Sequence, residues 1–578
     1  MSENEFSFKN YFVPLTNAKA ITWIVIIGII VYANMLINGF VWDDIGQIVT
    51  NGDIHSLSNI WSFFFSTHDI HGNLIKIQAI YYRPLMAAVF TIAYVLFGPN
   101  PFFFHLFSLI LHIGISLLIF FLFKRFFRQK IAFFLAVIFL IHPLNSEAVD
   151  YISAYNDLMY AFFGMLTVLL LYKKVISYRR LIAISICLFL SLLSKEQGFL
   201  FVPTLLVFTY LYQKKYLVRI TISSIIVVVL YVILRTTFYV GVPSDQILGF
   251  SPYLHMSLLE HLINIPKLFF YYIFNFFYPS QLAIAQHWSV QKLTLSDFFI
   301  PLVILISFVG LNLTFLIRTF GNKEKFSSVL FFSIWFWVGI GLYLQFIPLD
   351  MTVADRWFYF PMIGLLGLIG VSLQDLCINK NYKSTVINIV IICVVIFSIR
   401  TIVRNTNWFN EKTLYTHDIT IAKQSFDLEN QLGNVYFQEH NNKEAIIHYR
   451  RSIDLWNCSD ALNNLGYLDQ STGNIQAAEQ NYLQSVQCSG GYKDYGNLIL
   501  LLVKLHKLDL AEKYTKEAIV KYPNGAGLYF ILGVIDDKKG NKQEALKNLG
   551  IGYQLSHDPQ IAQAYIEVQN NKPVDLPL

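Results

Sequence analysis

Two adjacent carboxylates, Asp43 and Asp44, stand in the stretch GFVWDDIGQIVTN, a few residues beyond the apolar run 18–36. Charge beside hydrocarbon is costly and tends to be kept for function. Four more segments bring ionisable groups to the ends of apolar runs: YYRP (81–84), HPLNSEAVDYISAYNDL (142–158), SKEQ (194–197) and DMTVADRWFYFP (350–361). They supply Arg83, Glu147, Asp157, Lys195 and Arg356. A carboxylate opposite isolated cations suits group transfer from a phosphate-linked donor, because the acid can take the acceptor's proton while the cations stabilise the departing phosphate. Arg235, in YVILRTTF, joins the cation candidates because an unpaired intramembrane arginine is expensive; snorkelling to the interface is the alternative.

These groups must be positioned by membrane helices. The 578 residues are 55% hydrophobic and 14% charged, with a mean hydropathy of +0.49, too apolar for a soluble domain of this size. Apolar runs alternate with short polar loops up to about residue 404, and 405–578 contains no spanning candidate. The N-terminus lacks the basic region and cleavage site of a removable signal, so the first apolar run is expected to stay as a span. Five scattered cysteines without a CxxC argue against a zinc site and a disulfide framework. The net charge of +6 lies largely in loop clusters and reads as topology, with no nucleic-acid partner implied. No P-loop, GxGxxG or HExxH occurs, which removes the usual footholds for nucleotide hydrolysis, dinucleotide redox chemistry and zinc proteolysis.

Basic clusters at 124–130, 173–180, 213–219, 318–325 and 379–383 are expected on the cytoplasmic side. Eleven spans then fall at about 19–37, 101–123, 131–145, 157–172, 181–194, 197–212, 217–239, 299–318, 327–347, 357–374 and 384–403. Parity makes 83–98 an interfacial helix and 257–279 interfacial or re-entrant. All five acid-bearing or cation-bearing segments then share the extracytoplasmic face. HDIH (68–71), with Asp53 and His55 nearby, has no spacing that fixes four ligands, so no metal site is assigned, although a divalent ion is not excluded. His105 and His112 share a helix face and read as bundle packing.

The tail is a repeat array. Ala445, Ala478, Ala511 and Ala545 are 33, 33 and 34 residues apart, and Gly433, Gly466 and Gly533 each precede their alanine by twelve. This is the tetratricopeptide pattern, with small residues where two helices cross. About four repeats are expected over 429–570, joined by a linker and capping helix at 405–428 to a membrane domain at 1–404. An odd span count puts the array outside, as an acceptor platform or an assembly module. Cys458 and Cys488 would lie in adjacent repeats on the oxidising side, and a bridge between them is left open.

In order, GFVWDDIGQIVTN, YYRPLMAAVFTIAYVLFGPNPFFFHLFSLILH, HPLNSEAVDYISAYNDLMYAFF, LLSKEQGF and ADRWFYFPMIG, followed by helical repeats, resemble the transmembrane-and-tetratricopeptide-repeat (TMTC-like) family of protein O-mannosyltransferases. That family belongs to the GT-C superfamily. The resemblance implies an all-α fold, a polytopic bundle followed by a repeat solenoid, and an inverting transfer of mannose from a polyprenyl-phosphate carrier to Ser or Thr of exported proteins. It implies no tightly bound cofactor. By resemblance the catalytic acids fall on Asp43, the expected base, and Asp44; the donor phosphate falls to Arg83, with Lys195, Arg356 and Arg235 beside it; Glu147 and Asp157 form a second acidic loop. The chain departs where relatives commonly carry an arginine, having Tyr155 and Asn156 in SAYNDL, and this bears on donor identity. The array would lie in the periplasm or on the outer face of a prokaryote, or in the lumen of the endoplasmic reticulum. Two other readings stand: an envelope glycolipid or glycan as acceptor, and a non-enzymatic membrane scaffold.

Overall fold

The computed structural model describes residues 14–65, 81–172, 175–238, 253, 256–376, 380–456, 460–574 and 576, with the backbone alone over 380–383. The chain divides into two compact units, which meet in sequence between Lys423 and Gln424.

The first unit is an all-α bundle. Its helices are α1 (Asn17–Tyr32), α2 (Pro84–Phe97), α3 (Pro101–Phe123), α4 (Gln129–Ile141), the short α5 (Ser146–Asp150), α6 (Tyr155–Leu171), α7 (Tyr178–Ser194) and α8 (Phe201–Tyr212). They continue as α9 (Leu217–Phe238), α10 (Leu258–Phe277), α11 (Ile300–Thr319), α12 (Lys323–Gly341), α13 (Tyr359–Leu376), α14 (Lys380–Asn407) and α15 (Glu411–Ile421). Starts follow local chemistry: Asn100 caps α3 ahead of Pro101, and Ser257 with Glu260 closes a capping box on α10.

Each of the eleven expected spans falls on a helix. Seven of the described helices are long and apolar enough to cross a membrane, or eight if α4 and the bent segment Pro143–Asp150 count as one. The other expected spans are α4, α7, α8 and α12, of 13, 17, 12 and 19 residues. Two of them are short for a visible reason: α4 ends at the His142–Pro143 corner before Glu147, and α7 ends where Lys195 turns extended. The charged corners cut these helices. The segments at 83–98 and 257–279 also form helices, and α10 buries one face while exposing Leu258, Leu259 and Leu262.

Helices α6 and α13 are mostly buried, and α11 and α14 mostly exposed, as expected for the centre and rim of a bundle in lipid. Small residues let α13 approach α12. A Cβ on Gly364 would lie 2.5 Å from the Phe336 nitrogen, and one on Gly367 would lie 2.1 Å from the Phe332 ring.

The second unit is the repeat array. Helix pairs α16 (Phe426–Gln438) with α17 (Asn442–Leu455), α18 (Ala461–Ser471) with α19 (Ile475–Cys488), α20 (Tyr492–Lys504) with α21 (Leu508–Lys521), and α22 (Ala526–Lys538) with α23 (Lys542–Ser556) are followed by α24 (Pro559–Gln569). Ala445, Ala478, Ala511 and Ala545 are fully buried. Gly433 and Gly466 meet Tyr449 and Tyr482 so closely that a Cβ would sit 2.5 and 2.8 Å from the rings. Asparagines join neighbouring repeats: Asn464 Nδ2 donates to Asn430 Oδ1 at 2.9 Å, and Asn497 Nδ2 donates to Asn463 Oδ1 at 2.9 Å. Cys488 is disulfide-bonded, while Cys458, considered from the sequence as its partner, lies outside the described residues. Helix α15, within the segment expected as a linker and capping helix, lies in the first unit, where Asp418 ties it to Arg404 on α14.

Gly367→Leu is expected to destabilise the first unit by about 1–3 kcal/mol or more through overpacking. Thermal unfolding of the detergent-solubilised protein checks this, with lipid-facing Gly310→Leu, which meets nothing within 4 Å, as the neutral control.

Candidate active site

The two adjacent acids take different parts. After α1 the chain turns at Trp42, whose φ of 54° lies in the left-handed region that a bulky side chain rarely adopts. Segments from the far end of the unit hold this turn. Gly39 N–H donates to Phe409 O at 2.9 Å, Trp42 N–H donates to Glu411 Oε1 at 3.3 Å, and the Trp42 ring meets Tyr415 edge-on at 5.5 Å. Asp44 points inward and is fully buried. Its Oδ1 accepts from Ser153 N–H at 2.7 Å and Ser153 Oγ at 2.6 Å, and its Oδ2 accepts from Val41 N–H at 3.1 Å. Burial raises its pKa to about 7 against the pull of those donors. Asp43 points the other way and is exposed, with Oδ2 accepting from the Tyr151 hydroxyl at 2.8 Å. Asp44, expected beside Asp43 as a second catalytic acid, thus anchors the loop.

The predicted cations gather through acids. Arg356 bonds Glu147 twice, through its backbone N–H at 3.0 Å and through its guanidinium, whose Nε lies 4.0 Å from Asp157. Lys195 Nζ donates to both Asp157 oxygens at 2.7 and 2.6 Å. Arg83 pairs with Glu196 at 3.2 Å, with its guanidinium 4.0 Å from the centre of the Tyr81 ring. Arg235 acts electrostatically on Tyr231 and Glu196. The Tyr151 ring, 5.8 Å from the Arg356 guanidinium, links this set to Asp43. All eight residues singled out in the sequence therefore belong to one polar end of the bundle.

Three contributors carried no sequence signal strong enough to find them. Tyr151 is one of 34 tyrosines, and Glu196 was visible only as a neighbour of Lys195. Asp418 lies beyond the last span, yet pairs fully buried with Arg404 at 2.6 and 2.9 Å and accepts from Ile284 N–H at 2.8 Å. Among the described residues no cluster of His, Cys, Asp and Glu could hold a metal ion, and HDIH (68–71) lies outside them.

No family model matches the chain. Human protein O-mannosyl-transferase TMTC3 is 23% identical over 81% of this chain and 55% of its own length, and human protein O-mannosyl-transferase TMTC1 is 24% identical over 76% and 56%. The chain is similar to both over most of its own length. It spans about half the length of the curated relatives it matches. A solved repeat protein, YrrB, described as a TPR protein with an unusual peptide-binding site, is 20% identical over 26% of this chain and 77% of its own, at a TM-score of 0.23. The repeat assignment rests on the helix pairs above.

Folding raises the Asp44 pKa from its ordinary 3.8 to about 7, so the folded state binds the extra proton in that interval and stability falls as pH rises through it. The melting midpoint is expected to rise between about pH 8 and about pH 6, and less so in Asp44→Asn. Asp44→Ala, which strands three buried donors, is expected to cost several kcal/mol, about 1–3 for each group left unpaired.

Proposed function

We propose that the chain is a membrane glycosyltransferase of GT-C type that transfers mannose from a polyprenyl-phosphate carrier to a Ser or Thr hydroxyl of exported proteins. Asp43 takes the proton of the acceptor hydroxyl. The freed oxygen attacks the anomeric carbon as the bond from that carbon to the phosphate oxygen breaks, and polyprenyl phosphate leaves with the electron pair. One displacement inverts the anomeric centre. Arg356, Lys195 and Arg83 offset the charge on the departing phosphate, with Arg235 alongside. Glu147 and Asp157 hold two of those cations in place.

The observation that carries this reading is the exposed Asp43 carboxylate at the same polar end as the paired cations, joined to Arg356 through Tyr151. The names of the relatives support the sugar and the protein acceptor. The repeats supply a surface for polypeptide, and the disulfide at Cys488 agrees with an oxidising, extracytoplasmic side for them. A scaffold would need no exposed acid beside these cations. The reading requires no bound cofactor beyond the lipid-linked donor.

The test is transfer by the purified full chain from polyprenyl-phosphate mannose to Ser- and Thr-containing acceptors, read by mass spectrometry of the product. Asp43→Asn is expected to lower the rate by a factor of about 10² to 10⁴ with an unchanged melting midpoint. Full activity in that variant overturns the assignment. Arg83→Gln is expected to raise the donor KM and leave the acceptor KM unchanged; the reverse pattern would move Arg83 to the acceptor.

A further inference from the structure

We infer that Tyr151 is a positioning residue that aims the Asp43 carboxylate and ties it to the cation at Arg356. This rests on the reading of Asp43 as the base. Tyr151 follows α5, and its own N–H caps that helix by donating to Glu147 O at 3.3 Å. The ring is 4% exposed, stacked 5.9 Å from Trp408 and 5.8 Å from the Arg356 guanidinium. A ring so enclosed leaves the hydroxyl one direction, toward Asp43 Oδ2 at 2.8 Å.

The surrounding stretch makes this more than a single contact. Glu147 holds Arg356, Tyr151 holds Asp43, and Ser153 holds Asp44, all within seven residues. The separation of base from phosphate-binding cation is therefore set by one short piece of backbone. Asp43 has a turn of unfavourable φ behind it and an exposed side chain, so a fixed donor on one oxygen removes rotamer freedom that would otherwise misdirect the other. The donor also favours the ionised carboxylate, the form that accepts a proton. The charged and titratable groups around Asp43 include Asp44 next to it, Tyr151 and Arg356 on one side, and Tyr415 from α15 with Glu411 bonded to it.

The experiment is the pH profile of mannosyl transfer by the full chain carrying Tyr151→Phe, which keeps the ring between Trp408 and Arg356. The expected result is a kcat lower by about 10- to 100-fold, the value of a hydrogen bond to a charged group, with the acid limb of kcat/KM moved to higher pH and the donor KM held within about twofold. A structural role alone would not move the acid limb. As a second variant, 3-fluorotyrosine at position 151, a more acidic donor of nearly the same shape, is expected to move that limb to lower pH. An unchanged limb in both variants, with Asp43→Asn inactive, overturns the role of Tyr151 and leaves Asp43 as base. Activity in Asp43→Asn overturns the underlying reading instead.

Discussion

Ionised groups at the edge of a hydrocarbon layer persist only where each is compensated by an opposite charge or by hydrogen bonds, and the first unit is organised around that requirement. Between Glu147 and Asp157 the chain provides the compensation for Arg356 and Lys195, the donors for Asp44, and the hydroxyl for Asp43. Continuous helix through this region would have left those groups unmatched. The sequence therefore breaks into α5, a single 3-10 turn and then α6, and its polar side chains face inward at the break. The same requirement shortens α4 and α7. Loss of regular helix and gain of a polar site are one event.

A second buried pair ties the ends of the unit together. Arg404 and Asp418 stand fourteen residues apart on α14 and α15, and Asp418 also receives the N–H of Ile284. That contact folds α15 back over the bundle, where Glu411 and Tyr415 meet the Trp42 turn. The loop bearing Asp43 is thus held from two directions. Ser153 fixes it from within, and the segment after the last span fixes it from outside.

Much of this was legible in the sequence, for different physical reasons in each unit. Period and small residues specify the repeats, since Gly433 and Ala445 answer a local question about how closely two helices cross. Hydropathy located the spans because lipid imposes length, and it overstated α8, whose apolar run continues through the corner at Glu196–Leu200. The site residues could be listed because an ionisable side chain beside an apolar run is rare enough to notice. Their roles could not. Asp43 and Asp44 are chemically identical neighbours, and the left-handed turn at Trp42 and the reach of Ser153, 109 residues away, separate an exposed acid from a buried anchor. A tyrosine gives no such warning. Its hydroxyl matters at position 151 through what faces it, which no local pattern records.

Stability gives no reason for the number of charges at this end. A buried ion pair recovers in Coulomb attraction roughly what desolvation takes away, and apolar side chains of the same volume would usually serve the fold as well or better. Arg404 with Asp418 has a topological purpose, because an apolar contact could not also accept the Ile284 N–H. Lys195 with Asp157 joins the end of α7 to α6, two helices that Ser191 Oγ already links by donating to Tyr160 O at 2.8 Å, and Arg356 with Glu147 joins the turn before α13 to α5. Their retention is therefore better explained by what the cations can do at the surface of the cluster than by what the pairs do for the fold. The gradient of exposure agrees. Lys195 and Asp157 are 5% and 1% exposed, whereas Arg83 and Glu196 are 16% and 23% exposed. Arg83 with Glu196 is thus the more exposed pair and Lys195 with Asp157 the deeper one.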